Sequence, residues 1–310
     1  MGAASAGLLG FLHRGTGSNS LPSPSATRRH GIQEKMVRPR LLIFDFDGTA
    51  LGGHEPYAQF PEPFVHFLDG LAGHGMQWVT NTTWSPEMQW EVIRRSGVRS
   101  TPAFLTGQTG RVLASVVEGK LVFDEEFAQL IAEKDRAFRE RVWPRVRNLF
   151  ITMLQHDLVN RLAFDFYAPQ CVIDFTCNEG CEEEVWQLVR PLLDAGDYYV
   201  FNPAQRTSGM LLPAHMNKGD IVRVVQNRLD ILPEETIVAG DASNDLHMFD
   251  PSLCGWMICP TNAEPIVKDH ISRHGGIIAT QPYSWGVIEG IESILRHCSK
   301  AAESEKRVKL

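Results

Sequence analysis

Residues 41–50 read LLIFDFDGTA, an apolar run that stops at two acids one residue apart. Leu41, Leu42, Ile43 and Phe44 form the short continuous apolar stretch expected of a parallel strand covered by helices on both faces. Gly48 then breaks the strand. Asp45 and Asp47 therefore stand where open α/β sheets bind ligands, in the crevice beyond the carboxyl ends of the strands. An ordinary strand followed by an Asp-Gly turn has the same local pattern. The stretch carries chemistry only if the chain supplies partners for two clustered negative charges.

The segments that follow repeat the rhythm. Pro61 to Leu71 places Phe64, Phe67, Leu68 and Leu71 on one helical face. Met76 to Val79 is an apolar strand that releases Thr80-Asn81-Thr82-Thr83 at its end. Ser85-Pro86-Glu87 then opens a helix, with Ser85 as N-cap and Pro86 in the first turn, and Gly97 stops it. A further strand, Ala103 to Leu105, precedes a polar turn. This β-α-β-α order is that of a doubly wound α/β sheet. From Glu125 to Asn148 the pattern changes to a long charged segment with apolar residues at 127, 130, 131, 138 and 142, read as one amphipathic helix or two broken at Pro144. Strands at 162–166 and 172–175, a helix at 182–193, and strands at 198–201 and 209–212 complete an α/β insertion, placed at 123–210. Such an insertion beside a crevice acts as a lid.

The doubly wound rhythm returns at Asn217. Lys218-Gly219 leads into a helix at 220–229, and the strand Thr236 to Ala239 ends in Gly240-Asp241. The segment GDASND supplies Asp241, Asn244 and Asp245. Strands at 256–259 and 277–279 and a helix at 285–295 close the fold, followed by a charged tail at 299–310.

Composition bounds the function. With 310 residues and 43% hydrophobic content, the chain can bury a core domain and a smaller one. No apolar run reaches the roughly 18 residues of a membrane span, so no membrane partner is expected. The net charge is −7, and residues 1–40 carry six basic residues against one acid, which leaves the remainder more acidic still. An acidic body speaks against a nucleic-acid partner and suits a site that recruits a divalent cation. Six scattered cysteines without zinc-site spacing read as reduced thiols. Residues 1–39, rich in Gly, Ser, Ala and Arg, are expected to be a disordered leader. Their composition fits a transit peptide, and equally a non-functional leader ahead of a start at Met36. Cytoplasmic residence is expected, or organelle import if the leader is a transit peptide.

Four element ends thus carry polar groups: Asp45 with Asp47, Thr80 with Asn81, Lys218, and Asp241 with Asn244 and Asp245. In a parallel sheet they share one edge. Carboxylates gathered there repel one another unless a cation intervenes, and oxygen ligands select Mg²⁺, which also binds substrate phosphate.

The ordered set DFDGT, a strand ending in Thr80, Lys218 and GDASND resembles the four motifs of the haloacid dehalogenase superfamily. The insertion after the second motif, NKG at the lysine and GDxxND at the fourth resemble its Cof-like and sucrose-phosphatase-like branch. The resemblance spans residues 40–298. It implies a Rossmann-like core at 40–122 and 211–298, with an α/β cap domain inserted at 123–210. It also implies a Mg²⁺-dependent phosphatase acting on a small phosphorylated metabolite, such as a sugar phosphate, through an aspartyl-phosphate. By the same resemblance Asp45 is the nucleophile and Asp47 the proton shuttle. The metal ligands are Asp45, the Asp47 carbonyl, Asp241 and Asp245, and the phosphoryl oxygens face Thr80, Asn81, Lys218 and Asn244. An acid at position 47 suits phosphatases and phosphomutases. A phosphomutase of the phosphomannomutase type and an inactive phosphate-binding protein are the alternatives. In the insertion, Arg161, Asp174, Asn202 and Arg206 are candidate substrate contacts. A monomer or homodimer is expected.

Overall fold

The run 41–44 is strand β1 (Leu41–Phe44), and its side chains divide between two separate cores. Leu42 and Phe44 enter one, Leu41 and Ile43 the other. This strand is therefore covered on both faces, as its unbroken apolar sequence predicts. The computed structural model describes residues 37–164, 171–201, 203 and 205–308, with side chains described as far as residue 300. The expected leader lies almost wholly outside the described residues, as do Phe166 of an expected strand and Asn202.

After β1 come α1 (Glu62–Gly70), β2 (Gln77–Asn81), α2 (Pro86–Arg95) and β3 (Phe104–Gly107). Ser85 caps α2 as expected, accepting from the Met88 N–H. Two strands that the sequence reading passed over follow, β4 (Val112–Val117) and β5 (Lys120–Phe123). They form an antiparallel hairpin around Glu118 and Gly119, both at positive φ. Glu is an unusual residue at such a turn, where Asn or Asp is the usual signal, so the hairpin is weakly marked in the sequence.

The chain then leaves this sheet through α3 (Glu125–Gln155), a single helix of 31 residues. Pro144 does not break it. That residue is on the exposed side of the helix, while Val142 and Val146 remain buried, so the hydrogen bond a proline removes is lost away from the core. The strands β6 (Val159–Phe164) and β7 (Ile173–Cys177), helix α4 (Glu182–Asp194), and strands β8 (Tyr198–Val200) and β9 (Ser208–Pro213) follow. They build a four-stranded antiparallel sheet in the order β6-β7-β9-β8. The strand β9 crosses the expected boundary at 210 with its whole length in this sheet. Apolar residues of α3 and α4 cover one sheet face, with Phe138, Val142, Val146, Val185 and Val189 against Ile173, Phe175 and Leu211.

The chain returns to the large sheet through α5 (Lys218–Leu229), β10 (Thr236–Ala239), β11 (Trp256–Cys259), α6 (Pro265–Arg273), β12 (Ile277–Ile278) and α7 (Tyr283–Val308). The order is β12-β11-β10-β1-β2-β3-β4-β5, parallel from β12 to β3. Helices α1, α2 and α7 pack on one face, and α5, α6 and the start of α3 on the other. The helix α7 runs well past Leu295, into the segment expected as a tail and as far as Val308.

A buried ion network ties the two sheets' elements together. Arg111, in the β3–β4 turn, holds both oxygens of Asp135 on α3, and His215, just before α5, reaches the same carboxylate at 2.8 Å. Burial pushes Asp135 up, but hydrogen bonds from Arg111 and His215 outweigh it and hold the carboxyl below its ordinary value. All six cysteines are free, and five are buried. Among the described residues no helix is long and apolar enough to cross a membrane.

Candidate active site

β1 lies between β10 and β2, with Phe44 opposite both Ala239 and Thr80. The residues that follow these strands therefore emerge side by side. Immediately after β1 the chain folds into a tight turn in which the Phe46 carbonyl accepts from the N–H groups of Thr49, Ala50 and Leu51. Gly48 sits in this turn at φ +77°, and a Cβ there would overlap the Asp241 carboxylate. Glycine is required on both counts.

Asp45, Asp241 and Asp245 each place an oxygen within 4.8 Å of the others. The Lys218 ammonium, wholly buried at the start of α5, lies 2.7 Å from Asp45 and 2.6 Å from Asp245. Its position follows from the cap of that helix, where the Asn217 side chain accepts from the N–H groups of Gly219 and Asp220. Asp245 is fixed at its other oxygen by the N–H groups of Asp241 and Ala242, at 2.9 and 3.0 Å. Asp241 accepts from the Thr49 hydroxyl at 2.7 Å.

The electrostatics follow from this crowding. Burial pushes Asp45 up to about 7 against the opposing pull of Lys218, with the Asp245 charge adding to the rise. Burial, then the charges of Asp245 and Asp45, push Asp241 up to about 8. For Lys218 burial acts in the other direction, but the two carboxylates outweigh it and hold the ammonium well above its usual range. One cation thus faces three acids, and among the described residues the buried amide oxygen of Asn244 has no hydrogen-bond partner. An all-oxygen set with excess negative charge and an unpaired carbonyl oxygen fits a hard divalent cation such as Mg²⁺.

The structure brings Asp45, Lys218, Asp241, Asn244 and Asp245 together at one sheet edge. Thr80 requires a correction. It shares the face of Trp78 and Phe44, and its hydroxyl donates to Gln89 of α2, whereas Asp45 faces Lys218 on the opposite side of the sheet. Strand parity separates the two residues. Asn81 does share the Asp45 face, but its amide is committed, donating to the Lys218 carbonyl at 2.8 Å and accepting from Thr106 at 3.0 Å.

Thr82, one step past β2, was not singled out by the sequence reading. It is buried, its hydroxyl accepts from the Trp84 N–H at 3.4 Å, and among the described residues no acceptor takes its own proton. The signal was the second threonine of the polar run Thr80-Asn81-Thr82-Thr83. Asn262 was also missed as a site residue. It bridges the Gly48 carbonyl and the Tyr283 N–H, anchoring the turn from the β11 side. His54 spans the Gly52 and Gln59 carbonyls and braces its loop.

Asp47 stands slightly apart from the cluster. Its two oxygens accept from the Tyr57 hydroxyl and from the Trp84 indole, the latter at 2.5 Å. A cavity of about 450 Å³ opens beside the site between Thr83, Gln108 and Thr109 on the core and Ala163, Asp174, Phe201 and Met210 on the smaller sheet. Of the expected substrate contacts, Asp174 lines this cavity and Arg161 pairs with it at 2.7 Å. Arg206 is exposed, and its carbonyl accepts from Trp186.

Comparison with known proteins gives consistent results. The family model for sucrose-6F-phosphate phosphohydrolase matches residues 38–294. The sucrose-phosphatase of Synechocystis sp. PCC6803, solved with sucrose and phosphate, is 21% identical with a TM-score of 0.56, over 83% of this chain and 98% of that one. A haloacid dehalogenase-like hydrolase from Bacillus subtilis is 16% identical with a TM-score of 0.54, over 84% and 93%. A phosphatase of the same superfamily from Bacteroides thetaiotaomicron is 15% identical with a TM-score of 0.53, over 88% and 99%. The solved structures carry the shared fold and the family model carries the assignment: the chain belongs to the sucrose-6F-phosphate phosphohydrolase family of haloacid dehalogenase-type phosphatases.

Proposed function

We propose that the protein is a Mg²⁺-dependent phosphomonoesterase that hydrolyses a small phosphorylated sugar through an aspartyl-phosphate. The observation that carries this reading is the buried Lys218 ammonium between Asp45 and Asp245, with Asp241 in the same cluster. Asp45 attacks phosphorus in line, and the bond to the leaving oxygen breaks as that oxygen takes a proton from Asp47. In the second half a water passes its proton to Asp47, its oxygen bonds to phosphorus, and the Asp45–phosphorus bond breaks. Asp45, Asp241, Asp245 and the Asp47 carbonyl would hold Mg²⁺, which when bound neutralises charge on the phosphoryl oxygens. Lys218, Thr82 and Asn244 supply further polar contacts to those oxygens.

A sugar-sized leaving group is supported by the cavity beside the site, where the Asp174 carboxylate can accept from hydroxyls. The test is a phosphatase assay over a panel of sugar phosphates with Mg²⁺ present or chelated. Free phosphate is expected only with Mg²⁺, and Asp45→Asn is expected to abolish turnover. Activity that survives either change overturns the mechanism, and isomerised sugar phosphate without free phosphate overturns the hydrolase.

A further inference from the structure

We propose that Tyr57 and Trp84 form a clamp that positions Asp47 for proton transfer; this rests on the role given to Asp47 above. The two donors reach one carboxylate from separate segments. Trp84 comes from the loop that opens α2, and its indole N–H donates to Oδ2 at 2.5 Å. Tyr57 comes from the loop after the Gly48 turn, and its hydroxyl donates to Oδ1.

Each donor is independently braced. The Trp84 ring meets Phe46 at 6.0 Å between centroids, and its carbonyl accepts from Gln89 at 2.8 Å. The Tyr57 loop is tied across by His54, and it ends where the Phe60 N–H donates to the Ser96 hydroxyl at 2.7 Å. Filling the core does not account for Tyr57, which is 44% exposed, while Trp84 packs partly buried against the core and still turns its indole N–H to Asp47.

The chemistry of the donors suits a shuttle. A carboxylate oxygen has two acceptor sites, so the clamp occupies one on each oxygen and leaves the other to carry a proton. An indole N–H can only donate, which fixes Oδ2 as the acceptor end. A phenol can donate or accept, so Tyr57 can keep its contact with Oδ1 in either protonation state. The carboxyl group therefore keeps one orientation while it acts first as acid and then as base, the condition that positioned proton transfer requires.

The test compares leaving groups. In the full chain with Mg²⁺, kcat/KM is measured for an alkyl phosphate, whose alkoxide must be protonated, and for p-nitrophenyl phosphate, whose leaving group departs unprotonated. Tyr57→Phe and Trp84→Phe are expected to lower the alkyl value at least about tenfold and the aryl value less than about threefold. Equal losses on both substrates, as a structural role would give, or no loss, overturn the proposal. A second readout does not need turnover: among the indole N–H signals of the seven tryptophans, the one removed by Trp84→Phe is expected to move in Asp47→Ala. A stationary signal overturns the clamp. If the wild type hydrolyses neither ester, the phosphatase reading fails by itself, and the indole signal still decides whether Trp84 holds Asp47.

Discussion

Position along a strand determines whether a polar side chain reaches this site, and two threonines separated by one residue make the case. Thr80 lies inside β2 on the face of Trp78, hydrogen-bonded to Gln89, whereas Thr82 lies past the strand end with a proton that no described acceptor takes. Thr82→Val is therefore expected to lower kcat/KM by about 10²-fold, the scale of one lost oxyanion donor. Thr80→Val is expected to leave it within about threefold while costing on the order of 1 kcal/mol of stability, because the Gln89 carbonyl loses its partner. The two variants are compared by steady-state kinetics and urea unfolding, and the reverse order of kinetic losses would restore Thr80 to the site. The acids and Lys218 were legible in the sequence because each follows or begins an element with a clear apolar pattern. The threonines were not, because four polar residues in a row hide where β2 stops and so which face each takes. The Asp47 contacts were hidden for another reason: Tyr57 and Trp84 approach from loops whose course no periodicity describes.

At the scale of elements, sequence pattern and structure agree wherever the apolar period was strong. β10 and β11 have the predicted limits, and β1 carries its two faces into two cores. The hairpin of β4 and β5 was lost because Glu118 is not a recognised turn residue, although Gly119 after it is. Pro144 is the element where local rule and tertiary context conflict. A proline in a helix interior removes a hydrogen bond and crowds the preceding turn, yet α3 continues because Val142 and Val146 are held in the core of the smaller sheet. Pro144→Ala is expected to raise stability by roughly 1–3 kcal/mol, since it restores the bond to the Glu140 carbonyl without touching a buried contact. Chemical denaturation monitored by circular dichroism measures this, and an unchanged or lower midpoint would show that the helix has fully relaxed around the proline.

For the whole molecule, the acid cluster links stability to pH. Asp45 and Asp241 are raised from 3.8 to about 7 and about 8. Between pH 4 and these values the folded chain binds more protons than the unfolded chain, so the contribution of these two groups to stability falls as pH rises. In chelator-treated protein the melting temperature is therefore expected to fall between pH 5 and 8 on their account. Added Mg²⁺ is expected to raise it more at pH 8 than at pH 5, where protons compete for the same oxygens. Differential scanning fluorimetry across that range checks this, and an equal or larger Mg²⁺ effect at pH 5 would contradict it.

The free cysteines give the molecule a property of another kind. Cys171 and Cys177 are buried beneath the four-stranded sheet, while Cys254, Cys259 and Cys298 are buried around the eight-stranded one. A thiol reagent can reach each group only when its own surroundings open. The order in which the five are labelled under native conditions thus gives a clock for each half of the protein, and ranks the local stability of the two sheets without any added probe.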